Sequence, residues 1–492
     1  MKKLKFPTPY TVLMLVIVLA ATLTFFLPSG SYSSLQYDKT QDAFLVRTTD
    51  SAYTLPATQK NLDQLGIAIQ LNKFKEEKIK KPIAIPNTYV QTAPHPQGAQ
   101  AVLFAPIKGI YDSIEVILFV LVLGGFIGVF NSSGALNSGV GYLAHKLKGR
   151  ERILIILLTI LLAFGGTSFG LAEETLAFYP MLVPIFLAAG YDLMVPLAVI
   201  YIGSNVGSMA STTNPFAVII ASDAAGVDWT SGLIIRLIAL ALCVLISIIY
   251  IIRYAEKVRK DPKKSIVYGV PLPQIYAGNQ PQTTAQLQWR TKIELLIFSI
   301  CFLVMIIGVS QWEWWFQEMT ALFLVASVLI AIFQRCGEEA FVAHFVAGAR
   351  DLLGVAFIIG IARGVSFILN DGQISGTILN YATHWVQGMS PMLFLPMLLL
   401  VFGFLSLFIA SSSGMAVLTM PIIGALASVV GVDGHKVVSA YLFGMGIMSF
   451  LTPTGLILPS LAMVNINYKQ WLRFCTPLVL IFTLLLTFLL WI

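Results

Sequence analysis

An all-α polytopic membrane fold is predicted by three observations: apolar runs of roughly 20 residues recur along almost the whole chain, charge is scarce, and two long stretches repeat one another. Of the 492 residues, 57% are hydrophobic and 11% charged, and the mean hydropathy is +0.82, which strains any soluble globular reading. A hydrocarbon core about 30 Å thick takes about 20 helical residues to cross. The runs are continuously apolar rather than alternating, so they read as helices and not as barrel strands.

The elements follow in order. A basic "MKKLK" and an apolar run make residues 1–28 a first transmembrane helix with the N-terminus inside; a cleaved signal peptide is the competing reading. Residues 29–113 are polar and proline-containing and form an exterior loop or subdomain. Further spans are expected at about 114–131, 193–222, 231–252, 293–310, 318–334, 350–370, 435–465 and 471–491. The stretches 151–190 and 390–431 are broken in the middle by small polar residues, and each half is too short to span comfortably. They read as re-entrant hairpins, since irregular backbone at membrane depth is tolerated only where it lines a cavity. About nine transmembrane helices and two hairpins result. Residues 253–292 form a cytoplasmic linker and 293–349 carry connecting helices.

Charge supports this orientation in the cytoplasmic membrane. "RYAEKVRKDPKK" (253–264), Lys146, Lys148, Arg150, Arg152, Arg335, Arg350, Lys469 and Arg473 fall inside, whereas Asp223, Asp228, Glu313 and Asp371 fall outside. The net charge of +7 is therefore topological, and no aromatic-interleaved basic region indicates nucleic acid. Cys243, Cys301, Cys336 and Cys475 lack paired or metal-like spacing and read as packing residues.

Pro180, Gly190, Asp192, Gly203, Ser208 and Thr213 reappear 241 residues later as Pro421, Gly431, Asp433, Gly444, Ser449 and Thr454. Tyr142, His145 and Gly149 reappear 239 residues later as Tyr381, His384 and Gly388. The copies, 114–252 and 350–492, start in opposite directions across the membrane. That is the inverted-repeat architecture of alternating-access secondary transporters.

The chemistry is expected where the helices break. The tips "GGTSFG" (165–170) and "ASSSG" (410–414) offer Thr167, Ser168, Ser411, Ser412 and Ser413; tight packing through small residues is the alternative. The interrupted spans "GSNVGSMASTTNPF" and "GMGIMSFLTPTGLILP" offer Asn205, Asn214, Thr452 and Thr454 to a solute, and Ser211, Thr212, Thr213 and Ser449 to an ion. Pro215 and Pro453 each remove a backbone donor, which frees carbonyls, although a plain kink needs no more than this. Sodium or a proton is the coupling ion such oxygen ligands would serve; no other cofactor is expected.

Glu173 and Glu174 are the exceptional pair. A charge at membrane depth costs about 2.5–3.5 kcal/mol on insertion scales and is usually functional. Either they neutralise a cationic solute or carry a proton, or they are satisfied by backbone donors at the tip or by a base such as Arg236 or Arg363. Arg363 is expected deep in its span, paired with an acid or receiving a substrate carboxylate; Arg236 lies near a span end and is expected to snorkel. His145 and His384 read as interfacial. A membrane enzyme is not expected, because no nucleophile and base or metal cluster stands out.

The motifs "FGLAEET", "TTNPF" and "SSSGMAVLTMP" resemble those of the YfcC-type branch of the anaerobic four-carbon dicarboxylate carrier family, within the ion transporter superfamily. The resemblance covers nearly all of the chain after the first loop. It implies a homodimeric secondary carrier for a small-molecule substrate in the lipid bilayer, with two re-entrant hairpins. Members resembling this branch are often basic amino-acid antiporters, whereas the wider family takes dicarboxylates. The acid pair favours a solute bearing an ammonium or guanidinium group. "LTPTG" in place of a second "TTNPF" departs from symmetric ion sites.

Overall fold

The computed structural model describes residues 8–49, 51–75, 79, 82–135, 138–139, 142, 150–277, 288–312, 314–409 and 411–492. The expectations for His145, Lys146, Lys148, Glu313 and Ala410 lie outside these residues. Seven helices among those described are long and apolar enough to cross a membrane. The helices gather into two bundles. The first holds Pro9–Phe26, Ala99–Asp112, Ile114–Ser132, Trp289–Gln311, Phe316–Gln334 and Glu338–Asp371. The second holds Glu151–Phe169, Phe178–Ala188, Met194–Met209, Leu233–Lys260, Pro391–Ser406, Ser412–Val430, Gly434–Ser449, Ile457–Met463 and Tyr468–Trp491. They meet where the turn Glu173–Ala177 packs on Ile114–Ser132 and where Ile457–Met463 packs on Glu338–Asp371.

Several boundaries differ from expectation. The expected exterior loop of 29–113 ends sooner, because Ala99–Asp112 is a helix lying along Glu338–Asp371. Residues 99–132 thereby mirror Glu338–Asp371 (34 residues) at the offset of 239 read upstream in the repeat, so the second copy begins at 338 rather than 350. The helix expected to end at 252 runs on to Lys260, taking the start of the linker with it. Within the rest of the polar segment the chain builds small sheets. Strands β1 (Gly30–Ser31) and β6 (Val90–Gln91) pair, and β2 (Ser34–Asp38), β3 (Ala43–Arg47), β4 (Ala52–Pro56) and β5 (Ile83–Ala84) form an antiparallel sheet in the order β4-β3-β2-β5. Alternation buries Leu35, Phe44 and Val46 beneath it, with Phe74 edge-on to Phe44.

The segment 151–193 leaves and returns to one end of Leu233–Lys260. At its start Glu151 meets Arg259 at 2.8 Å and Arg152 pairs with Glu256. At its finish Asp192 accepts from Tyr254 and Ser265, both at 2.6 Å. The segment 391–434 is tied to the opposite end: Trp491 donates to the Met392 carbonyl, and His435 lies against Gly232. The first arm, Glu151–Phe169, has 19 residues and is long enough to cross alone, contrary to the expectation of a short half. Its path turns back because Gly170 takes the left-handed conformation (φ 77°) and caps the helix through Gly165.

The long pair Ile114–Ser132 and Glu338–Asp371 approaches closely because small residues face each other. A Cβ on Gly348 would collide with the Gly124 carbonyl, and one on Gly124 with that of Gly348. Apolar burial separates neither helix from lipid tails, so close backbone packing carries the contact. Gly348→Val is expected to cost about 1–3 kcal/mol by overpacking, read as a lowered unfolding temperature of detergent-purified protein; an unchanged temperature refutes the close-packing account.

Candidate functional site

Two broken helices cross beside two hairpin tips, and their backbone polar groups are paired there. In the first copy Met194–Met209 stops at Ala210 and the chain restarts at Pro215–Ile219 as a π-helical turn. The hydroxyl of Thr167 donates to the Ala210 carbonyl at 3.0 Å and accepts from the Thr212 amide at 3.0 Å. The amides of Thr212 and Thr213 both reach the Thr167 carbonyl, and the Thr213 hydroxyl reaches the Ser168 carbonyl. Ser204 donates to the Leu171 carbonyl. Asn214 caps the restart by accepting from the Phe216 amide at 2.9 Å, with its amide group toward Ser211 and the Gly166 carbonyl. Ser211 donates to the Ser208 carbonyl. Thus the first tip closes the wound left by the first break.

The second copy is closed differently: Trp471 donates to the Phe450 carbonyl at 2.9 Å and Tyr468 to the Leu451 carbonyl, both from the C-terminal helix. Gly434–Ser449 ends, a short irregular passage follows, and the helix resumes at Ile457. Thr452 and Thr454 share a hydrogen bond at 2.8 Å, and Thr454 donates to the Leu407 carbonyl just before the second tip. Ser411 accepts from the Gly414 amide and faces Ser413 at 3.4 Å. The Ser412 carbonyl accepts from Tyr441, and its hydroxyl reaches the Phe216 carbonyl of the first break.

The two breaks are joined across the repeat axis. Asn205 donates to the carbonyl of Gly446, the residue 241 positions on, at 3.2 Å. Asn205 also accepts from Ser449 at 2.5 Å, and Tyr201 donates to the Ser449 carbonyl at 2.7 Å. A residue touching its own repeat equivalent marks the pseudo-two-fold axis, and the site sits on it. Tyr201, Ser204 and Tyr441 belong to this network, yet in the sequence they stand in apolar runs and look like packing residues. Only the serine and asparagine content of the neighbouring turns signals them.

Glu173 and Glu174 open the turn Glu173–Ala177 directly after the first tip. Glu174 is 7% exposed, and its carboxylate accepts from the Ala172 amide at 3.0 Å. Glu173 is partly exposed. Neither basic residue considered as a partner reaches them. Arg363 pairs with Asp112 at 3.3 Å, because Ala99–Asp112 folds along its helix. Arg236 does not snorkel: its side chain is fully buried and donates to the carbonyls of Trp229 and Ser231, closing the loop before its own helix. Among the described residues no lysine or arginine stands within ion-pairing distance of either glutamate. Hydrogen bonds gather Thr167, Ser168, Ser211, Thr212, Thr213 and Asn214 at the first break, join Asn205 to Ser449 and Thr452 to Thr454, and bring Ser412 to Phe216, while Arg363 is set apart. His384 bonds Gln387 on an exposed turn, away from the site.

Broken apolar helices in two inverted copies, with their breaks joined at a polar crossing, define a multi-pass membrane transporter. The chain belongs to the family described as DcuC, C4-dicarboxylate anaerobic carrier, whose model matches residues 6–492. It is 42% identical to an uncharacterised protein of Haemophilus influenzae over 97% of this chain and 95% of that one. It is 29% identical to "Putative basic amino acid antiporter YfcC" of Escherichia coli K12, over 73% of this chain and 74% of YfcC. Among solved structures, the YdaH transporter of Alcanivorax borkumensis superposes with a TM-score of 0.40 at 13% identity, over 98% and 97% of the two chains. MtrF of Neisseria gonorrhoeae gives 0.39 at 14% identity, over 99% and 95%.

Asn205→Ala removes the bond across the copies and leaves the Ser449 hydroxyl with the Gly446 carbonyl of its own helix, and is expected to destabilise by about 1 kcal/mol while reducing transport. Because Ser449 acts through the same bond, Asn205→Ala and Ser449→Ala together should cost less than their separate costs combined. Full additivity in thermal unfolding would show that the crossing bond carries no coupling.

Proposed function

We propose that the chain is a secondary active carrier of amino acids bearing a cationic side chain, arginine or ornithine in type, working by exchange or ion coupling. The observation that carries this reading is the Glu173 and Glu174 pair beside the first tip, with no basic residue at ion-pairing distance among those described. A guanidinium or ammonium group would supply a countercharge, and a carboxylate that stays ionised at membrane depth needs such compensation beyond the Ala172 amide. The second tip, "SSSG", has no acid at the corresponding place, so recognition of charge is assigned to the first copy and shape to the second. YfcC carries a name that agrees with this solute class.

In this reading 151–193 and 391–434 are re-entrant hairpins in the cytoplasmic membrane, with the N-terminus and residues 253–277 inside. The bundle that contains both hairpins moves against the bundle of Ile114–Ser132 and Glu338–Asp371, exposing the crossing to each side in turn. The carrier works as a homodimer, with each protomer holding a complete site. Thr212, Thr213 and Asn214 hold the first break in shape through bonds to the first tip, and Ser211 through Ser208 and Asn214; the remaining lone pairs of Ser211, Thr212, Thr213 and Ser449 serve sodium, and a proton on the glutamates is the alternative coupling ion. The family description favours one second reading, a four-carbon dicarboxylate as solute.

Proteoliposomes loaded with ornithine are expected to take up labelled arginine and not labelled succinate; the reverse result replaces this reading by the dicarboxylate one. Glu173→Gln and Glu174→Gln should each lower arginine uptake tenfold or more, which corresponds to about 1.4 kcal/mol of lost interaction, with Glu174→Asp intermediate. Uptake equal to the parent in both glutamine variants removes the acids from recognition.

A further inference from the structure

The β-rich segment 29–98 touches both bundles, and in different ways. Its root is at the end of the long first-bundle helix, Glu338–Asp371, and on Ser375–Val386, the helix that leads from it to Pro391–Ser406. Gly30 donates to the Gln373 carbonyl at 2.8 Å, Ser29 to the Gly372 carbonyl at 2.9 Å, and Thr377 donates to the Pro28 carbonyl at 2.8 Å. The chain also enters and leaves the segment through first-bundle helices, Pro9–Phe26 and Ala99–Asp112. Its free side rests on the second bundle. β5 runs along Ser412–Val430, and Ala68 abuts Gly226. Lys73 meets Asp223 at 3.0 Å, with side chains 24% and 4% exposed. Asp223 lies in Ile220–Ala224, the continuation of the first broken helix beyond its break.

Between these contacts is a cavity of about 280 Å3 with three walls. Tyr32 and Ser34 come from the β-rich segment, Asn370 and Gln373 from the end of the long first-bundle helix and the turn after it, and Gly414 and Val417 from the second hairpin. Gly414 follows the tip serines directly, and its amide is bonded to Ser411. The cavity therefore runs from the β-rich segment to the second tip.

We propose that residues 29–98 are the outer gate of the carrier: a lid rooted on one bundle, latched to the other by Lys73 and Asp223, and roofing an antechamber that ends at the second hairpin tip. This rests on the reading that the two bundles move against each other. A segment bonded to both cannot keep both sets of contacts during such movement, and among the described residues the ones to the second bundle include an ion pair, the contact of Ala68 with Gly226 and a strand edge. The ion pair gives the closed arrangement a preference, because it compensates a carboxylate that the lid itself helps to bury. Removing the ammonium weakens the compensation of that carboxylate in the closed arrangement and not in the open one, where water hydrates it, which moves the balance toward open. No charged side chain lines the antechamber among the described residues, so it passes solutes by size and leaves charge selection to the glutamates at the first tip.

The test needs no substrate, so an incorrect solute leaves it intact. Ser412→Cys is placed at the second tip in a Cys336→Ser background, the other three native cysteines being buried. Its labelling rate with a membrane-impermeant maleimide is measured in right-side-out and inside-out vesicles. From the side bearing the lid, Lys73→Gln should raise the rate several-fold, and the exchanged pair Lys73→Asp with Asp223→Lys should return it toward the parent. Ser34→Trp, which fills the antechamber without touching the latch, should lower it several-fold. Thermal unfolding confirms that each variant is folded. An unchanged rate in Lys73→Gln or in Ser34→Trp, or labelling from the opposite side alone, overturns the gate.

Discussion

Everything else in this structure depends on how two broken helices satisfy their backbone without water. An amide or carbonyl left unpaired in hydrocarbon costs several kcal/mol, and a break in a membrane helix frees several at once. Here the first break is answered by the turn at 165–170, and the second by the C-terminal helix, whose Trp471 and Tyr468 donate to the Phe450 and Leu451 carbonyls. Thr167 alone serves Ala210, Thr212 and Thr213 through its hydroxyl and carbonyl, while Leu407 receives Thr454. The first tip must therefore reach the depth of its break, and the chain must turn back after it. The path of that hairpin follows from the requirement.

Symmetry then places the centre. Asn205 bonds to Gly446, its own counterpart in the second copy, so the axis runs through the crossing of the broken helices. Groups on the axis are shared between copies, whereas groups off it are free to diverge. Glu173 and Glu174 are off-axis, with no acids opposite them, and the first break is more densely bonded than the second. A symmetric frame thus carries an asymmetric set of polar groups. The side of the site facing Ile114–Ser132 is where the acids lie, which puts them at the contact between the two bundles.

Much of this was legible from the chain alone. Apolar runs located the helices, and matching Gly, Pro and Asp positions located the copies, because glycine and proline act on the backbone directly and keep their meaning out of context. The start of each copy was less legible. Ala99–Asp112 contains Pro106 and Lys108 and follows a proline-rich stretch, so its apolar character was hidden until it was seen lying along Glu338–Asp371. Arg236 was misplaced, and which acid Arg363 would meet was hidden, for a related reason. Depth along a helix says nothing about which neighbour is present, and Asp112 and the Trp229 carbonyl became partners through packing.

The sequence by itself determined the solvent, the helices, the repeat and the residues that carry polarity into the membrane, since each follows from the local cost of a side chain or backbone group in lipid. Tertiary structure decided which polar groups spend themselves on each other and which remain to act. It assigned Thr167 to closing a break, Asn205 to the axis, and Arg363 to Asp112, and it left Glu173 and Glu174 without a basic neighbour among the described residues. The reason is that hydrogen bonds and ion pairs act over a few ångströms. Residues 241 positions apart come within that range only after the whole chain has packed.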